Sequence, residues 1–301
     1  MENKIPEFLE QKLELQYGVE LKAKIIAGYT KKRQVTIRVN TLKATEKEVE
    51  EELAQNNIQY KKITWSDDAY ILEGISERDI ENLAFYEDGK IYMQSLSSMI
   101  PPLILEPKEN TDILDMAAAP GGKTTQIAAL TRNNSHITAC EMNAIRAERL
   151  KYNIEKQGAT SVYTLVTDSR KMDSFFSFDS ILLDAPCSGS GTLSLQNDSI
   201  SHFSIKLIEK CKKSQLDLLS KAVEILKVGH EMVYSTCSIL QEENEEIINK
   251  VLKNGRVEIV PINLEKYADI PMLPTKINGT MCIMPNALYE GFFVAKLKKI
   301  K

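Results

Sequence analysis

The fifteen residues Thr111–Thr125, TDILDMAAAPGGKTT, decide how the chain is read. Ile113-Leu114-Asp115-Met116 is a short apolar run of the kind that forms a buried strand. It passes into the small-residue stretch Ala117-Ala118-Ala119-Pro120-Gly121-Gly122, after which Lys123-Thr124-Thr125-Gln126-Ile127-Ala128 opens a helix. A strand feeding a glycine-rich turn and a helix N-terminus is how open α/β sheets build cofactor sites. Glycine lets the backbone approach the ligand, and the helix end presents unpaired N–H donors. The turn is not a phosphate-binding P-loop, because GxxxxGK[ST] would need glycine where Ala117 stands, and the chain contains no GxGxxG.

Around this stretch, strands alternate with helices. Strands are predicted at 112–117, His136–Glu141, Val162–Val166, Ser180–Asp184 and Glu231–Ser235. Helices are predicted at 95–105, from Lys123, and at Asn143–Gln157, Ile205–Leu226 and Leu240–Leu252. Such alternation predicts an α/β fold with a doubly wound, mainly parallel sheet. A last pair, Val257–Val260 and Gly291–Leu297, is placed to close one edge in antiparallel fashion. Before the turn the pattern differs. Residues 5–28 carry apolar positions at helical spacing, broken near Gly18, and Gln34–Asn40 alternates like a strand. Thr45 and Glu48 form a capping box for a helix reaching about Asn56. Ile58–Ile63 and Ala69–Leu72 read as strands flanking a turn at Ser66-Asp67-Asp68, and Ser76–Leu83 as a short helix. This gives a small α/β region over 1–89 and a larger domain over 90–301, divided near Glu87-Asp88-Gly89.

Three acids stand at the ends of successive strands: Asp115, Glu141 and Asp168. Ligands of open α/β sheets lie beyond the carboxyl ends of strands, so the three are expected to face one crevice. Glu141 follows the glycine turn by about twenty residues, the distance at which an acid grips ribose hydroxyls. Asp168 is suited to accept a hydrogen bond from an adenine amine. An adenosine cofactor follows, and without a P-loop or GxGxxG the best fit is S-adenosylmethionine.

A second constellation carries the reactive groups. The strand Asp179–Asp184 ends in Ala185-Pro186-Cys187-Ser188-Gly189-Ser190-Gly191, and Val233-Tyr234-Ser235-Thr236 ends in Cys237-Ser238. Ser238 with Gln241 has the spacing of a capping box, which would put Cys237 before a helix N-terminus and favour its thiolate, although the acidic run Glu242-Glu243 to Glu245-Glu246 opposes that effect. Cys140, Cys211 and Cys282 read as core residues. Two thiols, Asp184 and a methyl donor suggest pyrimidine chemistry: a thiolate adding to C6 makes C5 nucleophilic enough to take a methyl group. The residues alone leave open which thiol attacks.

The composition is that of a soluble globular protein, with 43% hydrophobic and 27% charged residues over 301 positions. A net charge of −4 excludes a strongly basic nucleic-acid binder while leaving room for local patches. One cluster is Lys31-Lys32-Arg33 with Arg38 and Lys43, near Lys61-Lys62; another is Lys206, Lys210, Lys212 and Lys213. The five cysteines show no CxxC spacing, so neither a zinc site nor any other metal is expected, and they suit a reducing compartment. With no signal peptide and no membrane span, a cytoplasmic protein is expected, favoured as a monomer.

At these residues the chain resembles the RNA cytosine-C5 methyltransferases of the Sun/NOL1/NOP2 (RsmB/NSUN-like) family. The matching stretches are Arg38-Val39-Asn40-Thr41-Leu42-Lys43, Gln94-Ser95-Leu96-Ser97-Ser98, Ala118–Thr124, Asp184–Gly189, Ser235–Ser238 and Glu290–Leu297. The resemblance implies a class I methyltransferase core behind a small RRM-like domain, acting on rRNA or tRNA. It implies that Cys237 attacks C6, that Cys187 assists breakdown of the covalent intermediate, and that Asp184 and Lys123 lie against the target base. It places Ala118, Ala119, Pro120, Gly121, Gly122, Lys123, Glu141, Asp168 and Asp184 around the cofactor, with Arg146 near it. Ala117 stands where many relatives carry cysteine, without expected consequence for catalysis. Neither a NusB-like nor a PUA appendage is expected within 301 residues. The competing expectation is a catalytically idle RNA-binding or assembly factor on the same fold.

Overall fold

The computed structural model describes residues 4–196 and 198–301. They pack as two compact units, one made of residues 34–182 and the other of the described residues within 4–33 and 183–301.

The chain begins with α1 (Glu7–Tyr29), in which Gly18 leaves helical geometry at φ 79, ψ 169. That is the break expected near Gly18. In the 34–182 unit, β1 (Val35–Val39), β2 (Gln59–Ile63), β3 (Ser66–Glu73) and β4 (Ile91–Met93) form an antiparallel sheet in the order β2-β3-β1-β4. Between the strands run α2 (Glu46–Gln55), α3 (Glu77–Glu81) and α4 (Ala84–Glu87). The Thr45 and Glu48 capping box is formed at the head of α2. β3 begins earlier than expected: Ser66 to Asp68 belong to the strand, and the turn falls on Thr64 and Trp65. β4, not foreseen, lies past Gly89 and pairs with β1 through Ile37 and Met93, so the small sheet draws on both sides of that position.

The same unit continues with α5 (Leu96–Leu105), β5 (Asp112–Asp115), α6 (Gly122–Leu130), β6 (His136–Cys140), α7 (Ala144–Gln157), β7 (Val162–Leu165) and, as far as Leu182, β8 (Phe178–Asp184). β8, β5, β6 and β7 pair in parallel in that order, as the alternation predicts. The buried polar residues of the first matching motif join this layer to the small sheet. Asn40 Nδ2 donates to the carbonyls of Gly89 and Gln157, each at 2.8 Å. Arg38, fully buried, donates to Gln94 Oε1 at 3.0 Å and Thr125 Oγ1 at 3.2 Å. Burial lowers its pKa to about 10. Lys43 Nζ caps the carbonyls of Asp88 and Lys156 at 3.0 and 2.7 Å. Arg38 and Lys43, grouped above with a basic cluster, are therefore structural cross-links and not a charged face.

The other unit holds α1, α8 (Ile205–Ile225), β9 (Leu226–Thr236), α9 (Glu245–Leu252), β10 (Val257–Val260), β11 (Met281–Ile283) and β12 (Phe292–Lys299). β12 is antiparallel to β9, β10 and β11. The expected closing pair is thus β10 and β12, and β11 was not foreseen. α8 buries one stripe, Ile208, Cys211, Gln215, Leu218, Leu219 and Ala222, the spacing that an amphipathic helix gives. α1 packs in this unit through specific polar contacts: Tyr17 Oη donates to the Ile239 carbonyl at 2.6 Å, and Tyr29 Oη to that of Ser190, also at 2.6 Å.

Candidate active site

In the 34–182 unit, the glycine-rich turn joins β5 to α6. Asp115 ends β5 and is buried, accepting from Thr124 Oγ1 at 2.7 Å and from the Ala117 amide at 3.4 Å. Its role is to brace the turn, as short acids do. Ala118 is pinned by its amide to the Cys140 carbonyl at 2.8 Å, and the Ala119–Pro120 peptide is cis. Gly121 sits at the N-cap of α6 with φ 112, a left-handed conformation that a side chain would strain, and it caps without a side chain. No side chain therefore caps the first-turn N–H groups of α6.

Glu141 and Asp168 are each engaged locally. Glu141, buried, accepts from the Asn143 amide at 2.8 Å and pairs with Arg146 at 3.3 Å. Arg146 also donates to the Ala119 carbonyl at 2.8 Å, so one guanidinium joins the acid to the turn. Asp168 accepts from the Arg170 guanidinium through both oxygens, at 2.7 to 3.2 Å, and from its amide at 3.1 Å. The hydrogen bonds from Arg170 hold its carboxyl below the usual range. Lys123 donates to Ser98 Oγ at 2.7 Å.

In the other unit, the structure brings the two thiols together. Cys187 Sγ lies 2.9 Å from Cys237 Sγ, and both cysteines are partly exposed. The loops that carry them are tied at the backbone, with the Gly191 amide donating to the Cys237 carbonyl at 2.9 Å and the Ala185 amide to that of Ser235 at 2.8 Å. Asp184 accepts from Ser235 Oγ at 2.8 Å. The hydrogen bond with Cys237, burial, and the charges of Cys237 and Glu243 raise the pKa of Cys187 well above the ordinary thiol value. Cys140, Cys211 and Cys282 are buried, as expected of core residues.

One expectation fails here. Ser238 does not cap a helix, because α9 begins only at Glu245 and its N-cap, Asn244, makes no side-chain cap. The Ser238 hydroxyl is taken instead by Glu243, at 2.6 Å. Cys237 is therefore not at the N-terminus of α9. Glu243 stands in an acidic run whose pattern does not set it apart from its neighbours. It is fully buried, and it also accepts from the Ser188 amide at 2.8 Å, Ser188 Oγ at 2.5 Å and Gln215 Nε2 at 3.1 Å. Among the described residues there is no group of three side chains that could hold a metal ion, and no helix long and apolar enough to cross a membrane.

The family model for 16S rRNA methyltransferase RsmB/F matches residues 102–298, and a ferredoxin-like domain model of RsmF/B-like methyltransferases matches 5–77. The ribosomal RNA small subunit methyltransferase F of Shewanella piezotolerans is 34% identical over 283 residues, which span 91% of this chain and 60% of that protein. The chain thus spans less than two thirds of the length of that curated relative. A methyltransferase homolog from Pyrococcus horikoshii is 33% identical, with a TM-score of 0.86 over 99% of this chain and 96% of its own. NSun6 from Pyrococcus horikoshii, solved with SFG, shares the fold at 23% identity and a TM-score of 0.87, over 98% of either chain. The small antiparallel sheet is the ferredoxin-like part, the parallel sheet belongs to the methyltransferase part, and the chain is a member of the RsmB/F methyltransferase family.

Proposed function

We propose that this protein transfers a methyl group from S-adenosylmethionine to carbon 5 of a cytosine in ribosomal RNA, through a covalent bond between Cys237 and C6. The observation that carries the reading is the pair of sulfurs 2.9 Å apart on the loops that follow β8 and β9. The relatives' name favours ribosomal RNA over tRNA as the substrate.

The residues of the glycine turn fit the cofactor. Gly121 leaves the first turn of α6 uncapped by any side chain, and Glu141 offers a buried carboxylate at the end of β6. Ala118 to Lys123, Glu141 and Asp168 would hold it, with Arg146 supporting both the turn and the acid, and Asp184 and Lys123 would lie against the base. When bound, the cofactor supplies an electrophilic methyl group on a sulfonium. The Cys237 thiolate adds to C6, and the electron pair displaced from the C5–C6 bond makes C5 the nucleophile. After methylation a base such as water takes the C5 proton, the C–H electron pair restores the C5–C6 double bond, and the Cys237–C6 bond breaks with its pair going to the Cys237 sulfur. Cys187, kept protonated beside the departing sulfur, is suited to assist that release. The target base must be single-stranded or flipped out of a helix to meet a thiol.

The test is label transfer from tritiated cofactor to RNA isolated from cells lacking the gene, with the product mapped by bisulfite sequencing. Transfer is expected with the wild type. Cys237→Ala should abolish both turnover and any RNA adduct, while Cys187→Ala should accumulate a denaturant-resistant protein–RNA species. The reverse pattern would exchange the roles of the thiols. Binding of RNA without transfer would instead make the protein an idle assembly factor.

A further inference from the structure

Glu243 is the buried acid at the thiol loops that the mechanism above does not use. Ser188 directly follows Cys187, and Ser238 directly follows Cys237; one carboxylate accepts from both serines. Gln215, on α8, completes the link by donating to Glu243 Oε1 at 3.1 Å and to the carbonyl of Pro186, the residue before Cys187, at 3.0 Å. Oε1 accepts from the Ser188 amide and Gln215, and Oε2 from the two serine hydroxyls. With each oxygen accepting twice, the group is used as a carboxylate and not as a protonated acid. Its described partners include no cation, which sets it apart from a structural ion pair. A carboxylate buried against neutral donors alone is costly to keep, and its field reaches the nearest titratable groups with little cancellation.

We propose that Glu243 is a positioning residue for the thiol pair: by holding Ser188 and Ser238 on one carboxylate, it sets the spacing and order of the Cys187 and Cys237 sulfurs. Its negative charge also disfavours a second anion at Cys187, beside the hydrogen bond from Cys237 and the burial that act in the same direction. The pair is thereby kept asymmetric, one sulfur free to attack and the other retaining its proton. This role rests on the methyltransferase reading for its purpose, but the geometry it claims can be read without RNA or cofactor.

The experiment uses the full chain carrying Glu243→Gln, which keeps the volume and removes the charge. Alkylation of each thiol by iodoacetamide is followed by mass spectrometry across pH, without RNA or cofactor. The Cys187 profile is expected to move down by about one pH unit, so that its alkylation near pH 8 speeds up about tenfold. In the methylation assay kcat should fall by about tenfold to a hundredfold with the RNA KM within about threefold, because the change touches the thiols and not the RNA. Glu243→Asp keeps the charge but is one methylene short of spanning both serines; it should lose kcat without the shift in the Cys187 profile. If Glu243→Gln does not fold, Ser188→Ala and Ser238→Ala each remove one tether and should each alter the relative alkylation rates of the two thiols. A Cys187 profile unchanged in folded Glu243→Gln, or relative rates unchanged in both serine variants, would overturn the proposal. Wild-type protein that methylates no RNA would overturn the functional reading instead and leave the alkylation result to decide the positioning role.

Discussion

Two regions of this molecule use buried or half-buried carboxylates in opposite ways. In the 34–182 unit Asp168 is matched to Arg170 and Glu141 to Arg146, each acid beside a guanidinium within its own strand-end segment. In the other unit Glu243 is satisfied by an amide, two hydroxyls and a side-chain amide, with no cation among its described partners. A paired carboxylate has much of its field cancelled and serves mainly to hold shape. An unpaired one inside the protein keeps its field and bears on its neighbours, here a thiol. The difference separates acids neutralised within their own segment from one whose charge bears on the proposed thiol pair.

The strongest way to break this contrast is at glycine. A Cβ on Gly191 would run into the backbone carbonyl of Gly291, whose amide in turn donates to the Gly191 carbonyl at 2.8 Å. Backbone cannot step aside as a side chain can, so Gly191→Ala should cost about 3 kcal/mol or more and loosen the loop that carries Cys187. Gly121→Ala, in the other region, meets only the tip of Leu150 at 3.0 Å and is penalised chiefly for its φ of 112. It should cost about 1–2 kcal/mol. Denaturant unfolding of the two variants side by side checks the order. Equal losses would mean that the thiol loops are no more rigidly built than the glycine-rich turn.

A smaller effect comes from the core thiols, which sharpen what is particular about Cys187. Burial pushes Cys140 and Cys211, one in each unit, up to about 11. A thiol is neutral when protonated, so a raised folded-state pKa means that the folded chain holds the proton more tightly than the unfolded one. The stability this gives is fully present below the unfolded value of about 8.5 and is lost as pH rises through 11. Unfolding free energy should therefore fall between pH 8.5 and 11 by on the order of 2 kcal/mol for each thiol. Cys140→Ala and Cys211→Ala should each flatten that fall. At Cys187 the first cause is instead the neighbouring sulfur, so Cys237→Ala should bring the Cys187 titration down while leaving that of Cys140, which Cys237 does not touch, unmoved.

Much of the fold was legible because local patterns and tertiary demands agree. The strand-and-helix alternation from Asp112 to Val166, the break at Gly18 and the α2 cap follow from apolar spacing, glycine and short polar side chains, each acting within a few residues. Where a partner distant in sequence intervenes, the pattern misleads. Arg38 and Lys43 look like part of a basic face, but carbonyls and side chains of residues far along the chain bury or cap them. Met281–Ile283 is too short to stand out and becomes a strand only against Phe292–Val294. At the candidate site, motif spacing pointed to both thiols. It gave no sign of Glu243, since an acid in an acidic run looks the same whether it faces water or two serines.

The capping-box pattern makes the same point in miniature, since one instance in each region has a different outcome. Thr45 and Glu48 sit at the head of α2, where the hydroxyl accepts from the Glu48 amide at 3.3 Å and Glu48 accepts from the Thr45 amide at 2.8 Å. Ser238 and Gln241 have equivalent spacing, but the hydroxyl of Ser238 is drawn to Glu243 and α9 starts seven residues after it. Thr45→Ala should therefore remove one accepted bond from the first turn of α2 and cost about 1 kcal/mol, with no effect on thiol reactivity. Ser238→Ala removes no helix cap and should leave α9 as protected in amide exchange as in the wild type, while changing the alkylation rates of Cys187 and Cys237. If the two substitutions instead unravelled their helices equally, Ser238 would be acting as a cap after all, and the hydroxyl would not belong to the carboxylate.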